Sequence, residues 1–283
     1  MPEVLSQGLF TLGSVWLVFT LYMVLALLAT DTTRIFLPAI KPYGFYLSLG
    51  AVACLLAYGY FNYKHPDINR IDITLDKPLP GKPMKIVAIS DVHLGNGTRK
   101  PQLKKFVEMI NAQNPDLIII SGDLIDNSIL PLYQQKMAEE LSQLKAPMGI
   151  YLAPGNHEYI SGMEECERFL KDTPIRLLRD TIVTLPNGLQ LIGRDDRSNR
   201  RRTPIADLMK KTDASKPTLL LDHQPYELAK KDSLGIDIQF SGHTHRGQVW
   251  PLSLLVDNMY EQSHGYRQWP HSHVYVSSGL SLW

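Results

Sequence analysis

Two long uncharged runs open the chain, and shorter apolar runs interleaved with helical periodicity fill the remainder. Leu9 to Ala29, LFTLGSVWLVFTLYMVLALLA, has about the length that crosses roughly 30 Å of hydrocarbon as a helix. Phe45 to Tyr63, FYLSLGAVACLLAYGYFNY, is a second, slightly shorter run whose tyrosines gather toward its end, where an interfacial aromatic belt would place them. The pattern predicts two transmembrane helices, at about 9–29 and 45–63, so that residues 1–63 form an anchor and 64–283 a separate domain. A cleaved signal peptide fits poorly, because the apolar run is too long, no basic segment precedes it and a second apolar run follows. A buried helical hairpin is the other reading of the same two runs.

Beyond Lys64 the apolar runs shorten. INRIDITL alternates Ile71, Ile73 and Leu75 with polar neighbours, which predicts a half-buried strand. The Pro/Gly-rich DKPLPGKP turns the chain, and MKIVAIS begins a strand apolar enough to be buried on both faces. Runs of the same kind recur at LIIIS (117–121), GIYLAP (149–154), TLLLD (218–222), IDIQFS (236–241) and VYVSS (274–278). Between them Leu103, Phe106, Val107 and Ile110, and then Leu132, Met137, Leu141 and Leu144, recur at helical spacing. Strands alternating with helices predict an α/β layered domain.

Charge sharpens this division. The 283 residues carry a formal net charge of +1, which argues against a nucleic-acid binder working through a globally basic surface. Residues 1–63 hold almost none of the charge. Arg34 and Lys41 lie between the two runs while Lys64, Arg70, Lys77 and Lys82 follow the second, so the basic residues place the domain on the cytoplasmic face. Cys54 falls inside a predicted span and Cys166 has no evident partner, so no structural disulfide is expected.

Five of the buried runs stop on residue types competent to bind metals. MKIVAIS ends in Asp91-Val92-His93, LIIIS in Gly122-Asp123, GIYLAP in Gly155-Asn156-His157-Glu158, TLLL in Asp222-His223, and IDIQFS in Gly242-His243-Thr244-His245. Ligands of an α/β sheet bind beyond the carboxyl ends of its strands, so five strands deliver metal-competent side chains to one edge. Asp91, His93, Asp123, Asn156, His223, His243 and His245 make a carboxylate, amide and imidazole set with no thiolate, suited to divalent Mn, Fe, Zn or Ni and not to a closed Cys-rich zinc site. Seven ligands are too many for one tetrahedral ion and suit two. Gly122, Gly155 and Gly242 are expected to let backbone approach the site closely.

The ordered set D-x-H, G-D, G-N-H-E, H and G-H-x-H, in the words SDVHLG, SGDLID, APGNHE, LDHQP and SGHTHRGQVWP, resembles the calcineurin-like metallophosphoesterases, most closely their bacterial membrane-anchored branch. The resemblance covers residues 85–279 and implies a four-layered α/β/β/α sandwich. It implies that Asp91, His93, Asp123 and His245 hold one metal and that Asp123, Asn156, His223 and His243 hold the other, with Asp123 bridging. It also places His157 beside the phosphoryl group. Two such ions clamp a phosphate oxygen and make a bridging hydroxide the nucleophile near neutral pH. Asn156 and His157 are placed to stabilise the developing charge, and a charged His157 to protonate the leaving oxygen. The expected substrate is a phosphoester or pyrophosphate associated with the membrane, lipid-linked or phospholipid-derived, in a bacterial inner membrane. A nuclease or general phosphodiesterase of the same superfamily, and a non-catalytic membrane scaffold with a structural metal site, are the alternatives.

Two other features are weighed. GRDDRSNRRR (193–202) reads either as a solvated loop or as an anion-recognition loop in which Arg197, Arg200, Arg201 or Arg202 grips a phosphate or anionic headgroup, with Asp195 and Asp196 offsetting part of the charge. His271 and His273 read as loop residues. The resembling chains run on past SSGLSLW into a closing strand, so the end at Trp283 suggests a fragment or a missing edge strand.

Overall fold

The computed structural model describes residues 3–281, and the end of the chain at Trp283 lies outside them. It divides into two compact units, Met1–Arg70 and Ile71–Trp283. The first is a helical pair, α1 (Glu3–Phe36) and α2 (Gly44–Lys64). Gly8–Phe36 and Gly44–Lys64 are long and apolar enough to cross a membrane. The pair touches through Val52, which is fully buried, and through Thr30 and Ser48, whose hydroxyls lie 3.2 Å apart.

The second unit is a pair of sheets. β1 (Ile86–Ile89), β2 (Leu117–Ser121), β3 (Ile150–Ala153) and β4 (Ile175–Leu177) form a parallel sheet in chain order. β5 (Thr181–Thr184), β6 (Gln190–Gly193), β7 (Thr218–Leu221), β8 (Ile238–Ser241), β9 (Gly265–Gln268) and β10 (His273–Val276) form a mixed sheet in the order β5-β6-β7-β8-β10-β9. Its four central strands are parallel and its two edges antiparallel.

Strand alternation sorts the apolar residues into layers, because successive side chains point to opposite faces. Leu117 and Ile119 of β2 pack with Leu191 of β6 and with Leu219 and Leu221 of β7, which closes the two sheets on each other. Ile118 and Ile120 point the other way, onto α3 (Lys100–Ala112), α4 (Leu130–Gln134), α5 (Met137–Leu141) and α7 (Met163–Leu170). On the far side Ile192 and Leu220 meet α8 (Ile205–Met209), and α9 (Leu228–Ser233) follows β7 in the chain. The result is the α/β/β/α sandwich expected from the resemblance. Leu117, Ile118 and Ile120 are wholly buried, and burial of such a side chain stabilises by roughly 1.5–3 kcal/mol.

Several local expectations are corrected. Residues 71–75 form no strand: no neighbour offers them a ladder, and Ile71 is left exposed. The apolar series from Leu132 to Leu144 is two one-turn helices, broken where Lys136 takes a left-handed conformation (φ 50°). Its four residues are nonetheless buried, because the spacing encodes the face and not an unbroken helix. β4, β5, β6 and β9 lie outside the predicted runs, because polar residues or glycine occupy part of their three or four positions. His273 lies in β10, not in a loop, and its Nδ1 shares a hydrogen bond with the Tyr266 hydroxyl at 2.7 Å.

Candidate metal centre

The carboxyl ends of β1, β2, β3, β7 and β8 meet where the two sheets face each other, and all seven candidate ligands arrive there. The donor atoms of Asp91, His93 and His245 lie within 4.8 Å of one another, as do those of Asp123, His223 and His243. His93, Asp123 and His157 form a third such group that joins the other two. Asn156, the first residue of α6 (Asn156–Ser161), presents its Oδ1 3.0 Å from His243 Nδ1. Asp123 Oδ2 sits between the halves, 3.8 Å from His93 Nε2 and 3.1 Å from His223 Nε2. His93 Nε2 and His245 Nε2 face each other at 3.1 Å.

The strand ends are bent sharply to achieve this. Asp91, His93, Asp123, His243 and His245 all have φ between 45° and 72°. This left-handed region costs a side-chain-bearing residue roughly 1–2 kcal/mol and persists only where the surroundings over-determine it. Here they do, since main-chain donors fix both carboxylates. The His157 N–H donates to Asp123 Oδ1 at 2.9 Å and the His243 N–H to Asp91 Oδ1 at 3.0 Å. Among the three glycines expected to matter, Gly122 alone has positive φ (74°). Gly155 and Gly242 are needed for a different reason, because a Cβ there would run into the carboxylates of Asp123 and Asp91.

Glu158 and Asp126 organise the site, although they had no assigned role in the sequence reading. Glu158 is fully buried and accepts the N–H groups of Asp123 (2.9 Å), Gly155 (2.7 Å) and Ile125 (3.0 Å), tying the turns after β2 and β3 together. Burial, reinforced by the Asp123 charge, pushes its carboxyl up to about 7. Asp126 Oδ1 lies 3.2 Å from His157 Nδ1 and 3.4 Å from His93 Nδ1. The signal for both was local: they are the last acids of SGDLID and APGNHE.

Electrostatics suit a cation. Burial alone would raise Asp91 and Asp123, yet the imidazoles around them hold both carboxyls below the ordinary range. Burial likewise opposes the ionised Asp126, but His157 and His93 bring it down to about 2. His157 moves up, because the Asp126 and Asp123 carboxylates outweigh its desolvation. His243 goes down to about 4 through burial and the neighbouring His223 charge, which keeps it a neutral donor. His223 rises well above the ordinary value, burial being outweighed by Asp123 and Asp91. The two carboxylates thus draw positive charge to that spot, and a divalent ion supplies it in place of the proton.

The residues fit the divalent pair that the resemblance implies. Donors are oxygen and nitrogen only, and His223 Nε2 is buried without a hydrogen-bond partner beside Asp123 Oδ2. His223 Nδ1 is held 2.7 Å from the Ser121 carbonyl, the outer contact that orients a ligating imidazole. The chain returns to close the site, since the N–H groups of Leu280 and Ser281 donate to the carbonyls of Ser90 and Asp91 at 3.0 and 3.1 Å.

The arginine-rich loop divides. Arg194, Asp195 and Asp196 are buried, so that part is not a solvated run. Asp195 accepts from Tyr159, Arg179 and Asn199, while Arg194 and Arg202 pair with Asp222. Arg197 lies 4.3 Å over the Tyr226 ring; the Tyr226 hydroxyl is 3.1 Å from that of Tyr260, and the Tyr260 ring stands 6.4 Å from His243. Arg200 and Arg201 are exposed, and no hydrogen bond or ion pair among the described residues joins their guanidinium groups to the metal donors.

Residues 84–247 match the family model for the calcineurin-like phosphoesterases. A metallophosphoesterase of Helicobacter pylori is 37% identical over 248 residues, covering 84% of this chain and 66% of that protein. A Campylobacter jejuni metallophosphoesterase is 32% identical, covering 84% of this chain and 65% of its own. A Danio rerio protein named as a transmembrane protein with a metallophosphoesterase domain is 32% identical over 84% of this chain and 58% of its own length. The chain thus spans about two thirds or less of these relatives. With the ordered ligand set, the two-sheet architecture and these matches in agreement, the chain belongs to the calcineurin-like phosphoesterase family.

Proposed function

We propose that this protein is a membrane-anchored phosphohydrolase that uses two divalent metal ions to cleave a phosphoester or pyrophosphate bond of a membrane-associated substrate. The observation that carries the reading is the position of Asp123 Oδ2, within 4 Å of imidazoles from both halves of the donor set. Asp91, His93, Asp123 and His245 hold one ion; Asp123, Asn156, His223 and His243 hold the other. When bound, such a pair supplies Lewis acidity for a phosphate oxygen and an activated water.

The chain's own groups do the rest. Asn156 and His157, at the start of α6, face the equatorial oxygens of the phosphoryl group, where fixed donors count most. With Nδ1 beside Asp126, whose carboxylate with that of Asp123 raises its pKa and favours the protonated ring, His157 turns Nε2 to the substrate and donates a proton to the leaving oxygen. Arg197, stacked on Tyr226 at the rim, contacts a further anionic group, with Arg200 and Arg201 beyond it. Two helices long enough to cross a membrane and a relative named as a transmembrane protein support anchoring; the lysines and arginines that follow the second span favour the cytoplasmic face of a bacterial inner membrane.

The test is hydrolysis by the full chain in detergent with Mn²⁺, against phosphomonoesters, phosphodiesters and lipid pyrophosphates, beside Asp123→Ala. The parent hydrolyses at least one class, and the variant loses more than the about 10–100-fold that removal of an outer-shell partner costs. Equal rates in both proteins, or no hydrolysis by the parent with Mn, Fe, Zn or Ni, would overturn the reading.

A further inference from the structure

One helix of the domain faces the wrong way. Among the described residues, α10 (Leu252–Met259) is the only helix of the domain with no buried residue; even the one-turn helices α4, α5 and α8 each bury at least one leucine or isoleucine. Within α10, Leu252, Leu255, Val256 and Met259 recur at i, i+3, i+4 and i+7, the stripe of a helix that faces a core. Yet Leu252 is 41% exposed, Leu255 63% and Met259 67%, with Trp250 just before the helix at 60%. Leu254, off that stripe, is exposed as well, and only Ser253 and Val256 of the helix are half-buried against the fold. Asp257 Oδ1 accepts from the Ser263 hydroxyl at 2.5 Å, and the Ser263 carbonyl accepts from Thr244 Oγ1 at 2.6 Å. Thr244 stands between the candidate donors His243 and His245, so the exposed Asp257 tethers α10 to that turn while Leu252, Leu254, Leu255 and Met259 face outward.

An eight-residue helix does not hold itself together in water without burying a face. Contiguous exposed apolar side chains of this kind mark a partner or a membrane. We propose that α10 is an interfacial helix that beds Leu252, Leu255 and Met259 into the surface of a lipid bilayer, so that the adjoining metal donors meet phosphate groups presented at that surface. The inference rests on the reading that the chain is anchored in a membrane. Three observations favour a bilayer over a protein as the occupant. The same chain carries two helices able to cross one. α2 ends at Lys64 and the domain unit begins at Ile71, a short covalent leash. The exposed Trp250 precedes the stripe, and the exposed Arg246 and Arg267 flank it in sequence, the residue types that sit at headgroup level with their stems on apolar surface.

The experiment places a nitroxide on Leu255→Cys in the full chain carrying Cys54→Ala, reconstituted into phosphatidylcholine/phosphatidylglycerol vesicles. Electron paramagnetic resonance then reads collisions with oxygen, which concentrates in lipid, and with a water-soluble nickel chelate. Leu17→Cys in α1 and Lys211→Cys on the exposed surface are the references, and Cys166 stays unlabelled because it is buried. Leu255 is expected to show an oxygen-to-nickel ratio on the order of tenfold above Lys211. A ratio equal to that of Lys211 means an aqueous helix, and shielding from both reagents means a protein cover; either overturns the inference. If Leu17 reads as lipid in those cases, only this inference falls, whereas a water-exposed Leu17 overturns the anchoring with it. No metal or turnover enters the readout.

Discussion

Asp222 is the single carboxylate facing three cations in the interior of the second sheet, and its removal has a calculable effect. Its oxygens lie 2.7 Å from Lys231 Nζ, 2.8 Å from Arg194 Nη1 and 3.4 Å from Arg202 Nη1; Asp222, Arg194 and Lys231 are each no more than 5% exposed. Burial pushes the carboxyl up, but Lys231, Arg194 and Arg202 together bring it down to about 2 from an ordinary 3.8. That difference of nearly 2 pH units corresponds to roughly 2–3 kcal/mol of folded-state preference for the ionised form. Asp222→Asn forfeits this and leaves buried cations uncompensated, for which breaking a buried pair costs about 3–5 kcal/mol. In a domain of about 200 residues the melting temperature should fall by about 6–20 °C.

The loss has an escape route, because burial already lowers the Lys231 pKa and without Asp222 the amine sheds its proton more readily. The destabilisation in Asp222→Asn should therefore shrink between pH 6 and pH 9, and Asp222→Asn/Lys231→Met should be more stable than Asp222→Asn alone by about 1–2 kcal/mol. For the parent, the folded pKa lies below the unfolded one, so the Asp222 contribution is present above pH 3.8 and is lost as pH falls through about 2. Thermal melts of the full chain in detergent, followed by circular dichroism across that range, measure all three. A shift under about 2 °C in the single variant, or a double variant no more stable than the single, would refute the account.

Other outcomes follow from the site itself. Asp126→Asn should lower kcat on the order of 10²-fold with metal content retained. Since the two carboxylates raise His157, the rate falls as pH climbs through that raised pKa, and the variant should move this alkaline limb to lower pH; an unmoved limb sinks the role given to His157. Gly155→Ala places a methyl against the Asp123 carboxylate and 2.8 Å from His223 Cδ2, so bound metal measured by plasma mass spectrometry should fall while the far-ultraviolet spectrum is kept. Chelation should lower the melting temperature of the parent, because ion binding at 100-fold over Kd contributes about 2.7 kcal/mol. His243→Ala with His245→Ala should abolish that shift, and a chelator-insensitive parent would count against a resident metal pair.

The donor set was legible because five of the buried strands end on it: an apolar run of four or five residues fixes where a strand stops, and an α/β sheet brings those ends to one edge. Asp91, His93, Asp123, Asn156, His223, His243 and His245 needed nothing further. Glu158 and Asp126 were in plain view, but their roles depend on which main-chain donors and imidazoles come to lie around them, and Asp123 and Ile125 are more than thirty residues from Glu158. The left-handed backbone at five ligand positions was illegible for a related reason, since glycine advertises positive φ and aspartate or histidine does not. Asp222 shows the same limit in the charge run: Arg194 and Arg202 of that loop and Lys231 from a distant helix meet it, which turned half of an apparently solvated loop inward. α10 marks the boundary most sharply. Its spacing states which residues share a face, and the same four positions would have suited a core helix; only the fold shows that Leu252, Leu255 and Met259 are left exposed. Periodicity therefore specifies a surface to be covered, and the packing around the helix decides whether the domain itself covers it.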